Sequence, residues 1–350
     1  MRLKTCVGMA AFMVASLGAG QAGAETFGAT AVTVQNAAAV LTVIPEERSD
    51  VDVTVTGGAR LPAPSAHMAG NRLVIDGGLA HRIQGCGGWF QVEIDGRGAP
   101  APVRVAGVGT VPVAQLQHIT VRVPRTLDLE VGGGVHSNVG ESAGGRIALN
   151  GCGRSDIAAV GGALEATLNG SGTANIADIS GALHGTLNGS GDLNVGHVAN
   201  DASLRLLGSG DVSAEAVAGV ASVELMGSGD VRVHSAADAR LVLRGSGDVD
   251  VGAVRGTLSA DLDGSGDIDV RSVEGPRVAL HLAGSGDINV RGGRTELLTI
   301  DDDGSGGIDF GGSAGASRLA VSASGDVSVA DAGRIEELND HGSGDVHIGR

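Results

Sequence analysis

The sequence predicts an all-β fold in which about 12 turns of 18–20 residues stack into a parallel β-solenoid. Two observations lead to this prediction. A Gly-X-Gly motif recurs from Cys152 to Ser343, and self-similarity at a fixed step is the signature of a repeat architecture. Around each motif, apolar and polar residues alternate, which is the period of a strand and not of a helix. Right-handed winding is expected from the general rule for parallel crossovers.

Residues 129–350 form the regular part of the predicted solenoid. In the turn around Ser228, Val223 and Leu225 precede the corner, and Val231 and Val233 follow it. We therefore predict two short strands per turn, joined at a Gly-Ser-Gly corner where glycine permits the bend. Stacking the turns about 4.8 Å apart would close an aliphatic core along the axis. A weaker twelfth motif surrounds Gly134, and the central residues of the other eleven are Cys152, Ser171, Ser190, Ser209, Ser228, Ser246, Ser265, Ser285, Ser305, Ser324 and Ser343.

The two ends of the repeat are expected to differ from its middle. Residues 25–128 contain alternating strands such as VLTVI and VDVTV without the corner motif. They predict either an irregular β-rich N-terminal cap or the first turns of the same solenoid, because terminal repeats are usually atypical. The last turn runs from Leu338 to Ile348, and Asp340 occupies a normally apolar position there. An inward charge is one way to blunt an open strand edge, and stacking of two chains through this edge is the alternative.

Residues 1–24 read as a secretory signal peptide. Arg2 and Lys4 precede an apolar run from residue 7 to 17, and the small residues Ala22 and Ala24 follow. No later segment approaches the roughly 20 apolar residues that a membrane helix needs. The sequence therefore predicts an exported bacterial protein of the periplasm or the cell surface, without a membrane span.

Export leaves two of the three cysteines, Cys86 and Cys152, in a compartment where disulfides persist. A Cys86–Cys152 disulfide would tie the N-terminal cap to the first strong corner. Two buried free thiols, or pairing between chains, are the alternatives. A metal site at either cysteine is disfavoured because neither has a second Cys or a His at ligand spacing.

Composition excludes some classes of partner. The chain has a formal net charge of −16, no Tyr, one Trp and four Phe. Phosphate backbones would be repelled, and few rings are available for stacking on bases, so nucleic acid is not an expected partner.

The recurring GSGD could indicate a phosphate loop or a catalytic serine, and the sequence argues against both. A phosphate loop needs a Lys-Ser/Thr pair and a following helix, whereas here Asp and a strand follow. A nucleophilic serine needs one base and one oxyanion site, and near-equivalent serines in every turn provide no unique place. His184, His197, His234 and His281 occupy different positions in their turns and are predicted to be surface residues. His341 and His347 flank Asp345, where a solvated edge is favoured over a metal site.

Calcium is the one cofactor that the pattern allows. Asp261, Asp263, Asp267 and Asp269 imitate a calcium loop, and the stretch around Asp301, Asp303 and Asp309 imitates it again. Both lack the acidic residue at position twelve and helical flanks, so they are weak candidates for a metal site. Stacking also places the corner residues in columns, where each carboxylate could accept N–H groups of its own corner, share a cation or have a raised pKa. This turn ladder comprises Ser190, Asp192, Ser209, Asp211, Ser228, Asp230, Ser246, Asp248, Ser265, Asp267, Ser285 and Asp287.

The stretch ITVRVPRTLDLEV followed by serial GSGDV turns resembles the bacterial exported domains grouped as auto-transporter adhesin head GIN domains (DUF2807), and their DUF4097 relatives. The resemblance covers residues 28 to 350. It implies a β-solenoid at or near the cell envelope, with an unknown envelope or surface ligand and no enzymatic activity. We therefore predict a non-catalytic binding or structural module. The alternatives are a polysaccharide-active β-helix enzyme, which would need a pocket with two acids and an Arg, and a homo-oligomer joined through the C-terminal edge.

Overall fold

The computed structural model describes residues 15–16, 24–58, 60–87 and 101–349. Apart from Ala15, Ser16 and Ala24, the predicted signal peptide lies outside the described residues. The strands are β1 Ala15–Ser16, β2 Glu25–Phe27, β3 Ala31–Glu46, β4 Val51–Gly57, β5 Ser65–Ala69, β6 Arg72–Asp76, β7 Ile83–Cys86, β8 Val103–Val105, β9 Gly109–Val111, β10 Gln117–Pro124, β11 Thr126–Val139, β12 Gly144–Gly151, β13 Arg154–Ile157, β14 Leu164–Leu168, β15 Thr173–Ile176, β16 Leu183–Leu187, β17 Asp192–Val198, β18 Ala202–Leu206, β19 Val212–Leu225, β20 Val231–Leu243, β21 Val249–Val254, β22 Leu258–Leu262, β23 Ile268–Leu282, β24 Ile288–Val290, β25 Gly293–Asp302, β26 Ile308–Val321, β27 Val327–Asp331, β28 Arg334–Asp340 and β29 Val346–Ile348. A single 3-10 turn, Val113–Gln115, precedes β10.

The repeat folds as the predicted parallel β-solenoid of about 12 turns. Each strand pairs in parallel with the strand one repeat later, so that Leu206 lies beside Leu225 and Leu225 beside Leu243. All three side chains are fully buried. The apolar position eight residues after the corner serine is also buried, as at Val217 and Val254. The alternation in the sequence therefore sorts side chains into an aliphatic core and a solvated face.

The N-terminal region contains both parallel and antiparallel strand pairs. Strand β3 is a full turn of the solenoid, because it pairs in parallel with β11 along most of its length. It lacks the corner motif, and its extra residue forms a bulge where Gln35 and Asn36 lie opposite the single residue Gly132. Strand β10 adds a further parallel strand, whereas β4 runs antiparallel to β10 and to β2. These strands cover the N-terminal end of the core.

A small antiparallel sheet of β7, β8 and β9 lies beside this region and has its own apolar cluster. Cys86 at the end of β7 forms a disulfide with Cys152, with 5.4 Å between their Cα atoms. The bond joins the small sheet to the first strong corner of the repeat, 66 residues along the chain. The alternative of two free thiols is therefore wrong.

The last described turn is much less covered. Every residue of β28 is exposed, and the exposed fraction reaches 44% at Ile335 and 46% at Leu338. Asp340 pairs with the buried Val321 of the preceding turn and so occupies an inward position, but its side chain is exposed at this end.

Candidate functional site

The residues of the turn ladder lie along one edge of the solenoid, at the corner between the two strands of each turn. The corner serines from Ser190 to Ser285 are exposed, and their hydroxyls form one column. The backbone N–H of each serine donates to the first corner glycine one turn earlier, as from Ser209 to the Gly189 carbonyl oxygen at 3.0 Å. The corner is therefore held by the same axial hydrogen bonds as the strands.

Close stacking, and not the bend, requires glycine at these corners. From Gly170 to Gly344, all of which the structure describes, no corner glycine has a φ between +20° and +160°. A Cβ atom on Gly208 would lie 1.8 Å from the carbonyl oxygen of Gly189, and one on Gly210 would lie 1.7 Å from that of Gly191. Glycine was expected at the corners because it permits the bend, and this reason is wrong. Glycine is needed there because the backbone of one turn passes directly over the backbone of the next.

The aspartate column is bonded between turns. Oδ1 of Asp211 accepts the backbone N–H of Asp230 at 3.0 Å, and Oδ1 of Asp230 accepts that of Asp248 at 3.1 Å. The same bond continues from Asp248 to Asp267 at 2.9 Å and from Asp267 to Asp287 at 2.8 Å. The predicted donor in the same corner is wrong, because N–H groups of a parallel ladder point along the axis toward the neighbouring turns. Each carboxylate from Asp211 to Asp267 therefore joins two turns, which offsets part of the repulsion within the column.

A shallow groove of about 900 Å³ follows these corners across five turns, from Ser190 to Ser265. Its floor is the backbone of the stacked glycines, and serine hydroxyls line it. The chemical character changes only at the position two residues before each serine. That position is occupied by Asn188, Leu207, Met226, Arg244 and Asp263 in successive turns. The groove is thus a continuous strip with a polar end, an apolar centre that includes the 41% exposed Leu207, and a charged end.

Two asparagine ladders border the corners of the first regular turns. The amide of Asn188 donates to Asn169, and Asn169 donates to Asn150, each at 2.7 Å. A second ladder on the other side of the corner runs from Asn194 to Asn175 at 3.1 Å. The sequence prediction missed these ladders, although the triplet LNG at residues 149–151, 168–170 and 187–189 signals the first of them.

The weak calcium candidates do not converge on one point. Asp261 lies on β22 before the corner, Asp269 lies on β23 after it, and Asp269 is paired with Arg291 at 3.2 Å. Asp267 is bonded to Asp287 as described above. Within residues 24–58, 60–87 and 101–349, no group of three or more His, Cys, Asp or Glu side chains is placed to hold a metal ion.

The histidines singled out in the sequence lie on the surface. His184, His197 and His234 are exposed, and His281 is half-buried. His197 contacts Asp178, with 3.1 Å between Nδ1 and Oδ1, and the pKa of Asp178 is lowered by its hydrogen bonds from the backbone and ring of His197. His341 and His347 are also exposed.

One concave patch contains acids and arginines together. It measures about 390 Å³ and surrounds Gly252. Arg232 bridges Asp230 and Asp250, with N–O distances of 3.3 and 3.2 Å. Together with the Arg291–Asp269 pair, these contacts make the patch a network of exposed ion pairs, which contributes little to stability per pair.

The comparisons with known proteins identify one family. The family model described as "Putative auto-transporter adhesin, head GIN domain" matches residues 109–253 and 250–349. The two matches together span more than half of the chain. Neither a curated protein nor a solved structure matches it. The described part of the chain contains no apolar helix of membrane-spanning length.

Proposed function

The chain belongs to the family of adhesin head GIN domains, and from this membership we propose that it is an exported, non-catalytic binding module of the bacterial cell envelope. The observation that carries the proposal is the continuous corner groove, which repeats one backbone arrangement over five turns. A surface of this kind offers the same contacts at each turn and suits an extended ligand better than a single reacting group. The signal peptide predicted for residues 1–24 and the Cys86–Cys152 disulfide support the proposal of export to an oxidising compartment.

An enzyme is the second candidate, because the patch around Gly252 has the two acids and the Arg that a polysaccharide-cleaving solenoid would need. The geometry favours an ion-pair network instead, since Asp250 is held by Arg232 and Asp269 by Arg291. Incubation of the purified chain with acidic and neutral polysaccharides, followed by a reducing-end assay, decides between the two. New reducing ends that disappear in an Asp250→Asn variant would establish the enzyme.

Self-association is the third candidate and is favoured by the exposed apolar side chains of Ile335 and Leu338 in the last described turn. Light scattering of the full chain and of a variant lacking residues 338–350 tests it. A monomer in both samples removes this candidate, and a dimer that depends on the last turn establishes it.

The binding proposal is tested by blocking the groove. Ser209→Lys with Ser228→Lys places two long side chains in the groove, where both hydroxyls are exposed. Ser203→Lys with Ser222→Lys is the matched control, because these serines pair in the same two turns but lie outside the groove lining. Each immobilised protein is incubated with envelope extract, with and without a chelator.

We expect the unaltered protein and the control to retain the same envelope component, and the groove variant to lose it. A chelator should change nothing, since one oxygen of each carboxylate from Asp211 to Asp267 already accepts a backbone N–H and no metal-binding cluster occurs among the described residues. Equal retention by the groove variant, or no retained component with the unaltered protein, contradicts the proposal. Loss of the component on chelation would instead show that a cation lies between ligand and protein.

A further inference from the structure

A second concavity lies at the N-terminal end of the corner column, between the small sheet and the first turns. It measures about 440 Å³ and is walled by β3, β7, β11 and the disulfide-linked corner at Cys152. This volume is within the range of small-molecule sites. Unlike the shallow groove, it is enclosed from the side by the segment from Leu79 to Gly85.

The pocket exists because one side chain is missing from a ladder. Gly132 pairs with Asn150 and so takes the position that asparagine occupies in the next three turns. A Cβ atom at Gly132 would meet only Val34 O at 3.7 Å and Asn150 Cβ at 3.8 Å, which are ordinary contacts. Stacking therefore does not require glycine here, in contrast to the corner glycines. The missing side chain at position 132 is therefore not required for the packing of the turns.

Unusual backbone is concentrated around this pocket. Among the described residues, Asn36 and His81 are the two non-glycine residues with left-handed backbone, with φ of 52° and 58°. Both line the pocket, and Asn36 belongs to the bulge of β3. Bulges and strained residues often lie at binding sites, where they direct side chains toward a ligand.

Hydrogen bonds inside the wall leave a defined set of free polar atoms. The amide nitrogens of Gln35 and Asn36 both donate to Asp76 Oδ2, at 2.9 and 2.8 Å, which leaves their side-chain oxygens able to accept. Burial raises the pKa of Asp76, but these two bonds and one from the Gly78 N–H outweigh it and lower the pKa. Asp76 is therefore an anion that fixes the two amide groups in place. Gln84 has no hydrogen-bond partner among the described residues and is exposed at the rim, where it can donate and accept.

The lining offers no Arg or Lys among the described residues to attract an anionic ligand. Glu130 is the one carboxylate in the lining, and its oxygens accept bonds from Asn150 at 2.8 Å and Thr33 at 3.3 Å. His81 is the one basic side chain in the described lining, so the pocket has no guanidinium or ammonium group to pair with a phosphate or a carboxylate. The half-buried Ile83 adds an apolar wall. Amide oxygens, an amide donor, a fixed carboxylate and an aliphatic wall together suit hydroxyl groups on a hydrocarbon ring.

We propose that this pocket binds one neutral saccharide unit. The ligand hydroxyls donate to the amide oxygens of Gln35 and Asn36 and exchange hydrogen bonds with Gln84, while the C–H face of the ring packs on Ile83. This site is separate from the corner groove, and its occupancy does not depend on the groove binding a ligand.

The test is saturation-transfer NMR on the full chain with N-acetylglucosamine and glucose as probes, and with inorganic phosphate and Ca²⁺ as competitors. Gln84→Ala removes an exposed side chain that supports no other group. Gly132→Leu places an aliphatic side chain at the pocket, and its Cβ would make only ordinary contacts with the backbone. Asn289→Ala is the matched control, since the Asn289 side chain likewise has no hydrogen-bond partner among the described residues and lies on a distant turn. Circular dichroism verifies that each variant is folded.

We expect transfer to at least one sugar, with at least tenfold weaker binding in Gln84→Ala and Gly132→Leu and unchanged binding in Asn289→Ala. Neither competitor should displace the sugar. The proposal is overturned if neither sugar shows transfer, if Gly132→Leu binds as the unaltered chain does, or if phosphate or Ca²⁺ displaces the sugar. Loss of groove binding in the preceding experiment, with sugar binding intact, would separate the two proposals.

Discussion

The middle of the solenoid and its last described turn have the same sequence pattern but very different burial. Leu241 and Leu338 occupy the same position, five residues before the corner serine, yet Leu241 is fully buried and Leu338 is 46% exposed. At the other end, Leu129 occupies the matching position in the first turn and is only 2% exposed, because β3 lies over it. A turn of this fold therefore does not bury its own side chains; the neighbouring turns do.

The largest effect is expected where two backbones nearly touch. Gly210→Ala should destabilise the chain by about 3 kcal/mol or more, because the new Cβ would lie 1.7 Å from the Gly191 carbonyl oxygen and the turns would have to separate. Gly292→Ala is the control, since a Cβ there meets no atom within 4 Å. Urea denaturation followed by circular dichroism measures both. Equal midpoints for the two variants would refute close stacking as the reason for the corner glycines.

The difference between the middle and the end is tested by one substitution made twice. Leu241→Ala should lower the free energy of unfolding by about 3 kcal/mol, as expected for a large-to-small change in a packed core. Leu338→Ala should cost less than about 1 kcal/mol, because half of its side chain is already in water. Thermal unfolding of the two variants under identical conditions gives the comparison. A similar loss at both positions would mean that the last turn is covered in solution.

The disulfide is expected to strengthen the covered end. Thiol labelling of the unfolded chain without Cys6 should detect no free thiol until reductant is added. Reduction should lower the free energy of unfolding by about 2 kcal/mol, because the unfolded chain gains conformational entropy once the cross-link is removed. A Cys86→Ser/Cys152→Ser variant should show the same lower stability and no response to reductant. Two reactive thiols in the native protein would contradict the disulfide.

A smaller effect is expected at Asp302, a polar residue in the aliphatic core. It pairs with Leu282 on one side and Val321 on the other, is fully buried, and its Oδ2 has no hydrogen-bond partner among the described groups. Burial raises the pKa of Asp302, and the nearby charges of Asp303 and Asp301 raise it further. A hydrogen bond from the Gly304 N–H lowers this pKa but does not cancel the rise. The folded state thus holds the proton more tightly than the unfolded state.

Stability should therefore be lost as the pH rises from the ordinary pKa of Asp through the raised folded value. Asp302→Leu should stabilise the chain by about 1 kcal/mol at neutral pH, and this advantage should shrink in acid, where Asp302 is protonated in both states. Denaturation curves of the two proteins from acid to neutral pH measure the difference. An advantage that is the same at every pH would show that the charge of Asp302 is not the cause.

The sequence predicted the regular turns because their apolar residues recur at fixed places, and it predicted the Cys86–Cys152 bond from the compartment and the count of cysteines. It left the role of residues 25–128 open, because β3 forms a turn without any corner motif. The donors to the aspartate column could not be assigned from one turn, since the bond joins two. The pocket at Gly132 depends on which side chain is missing from a ladder, and this becomes visible only when the register of β11 and β12 is known.

The sequence prediction missed Asp302, although an acid there interrupts a column that is otherwise apolar up to Val321. Its effect on stability depends on its burial, which the sequence does not give. At the same column position, Asp340 is exposed at the end of the stack. Asp302 and Asp340 therefore differ in the same way as Leu241 and Leu338. The residue in the middle of the stack is buried, and the same residue type at the end is exposed.

Hydrogen exchange measured by mass spectrometry tests most directly whether neighbouring turns supply the stability of each turn. Peptides from residues 126–139 and 221–243 should be strongly protected, since parallel strands lie on both sides of each. Peptides from residues 334–349 should exchange at least tenfold faster, because every residue of β28 is exposed. Protection of residues 334–349 equal to that of residues 221–243 would contradict the account.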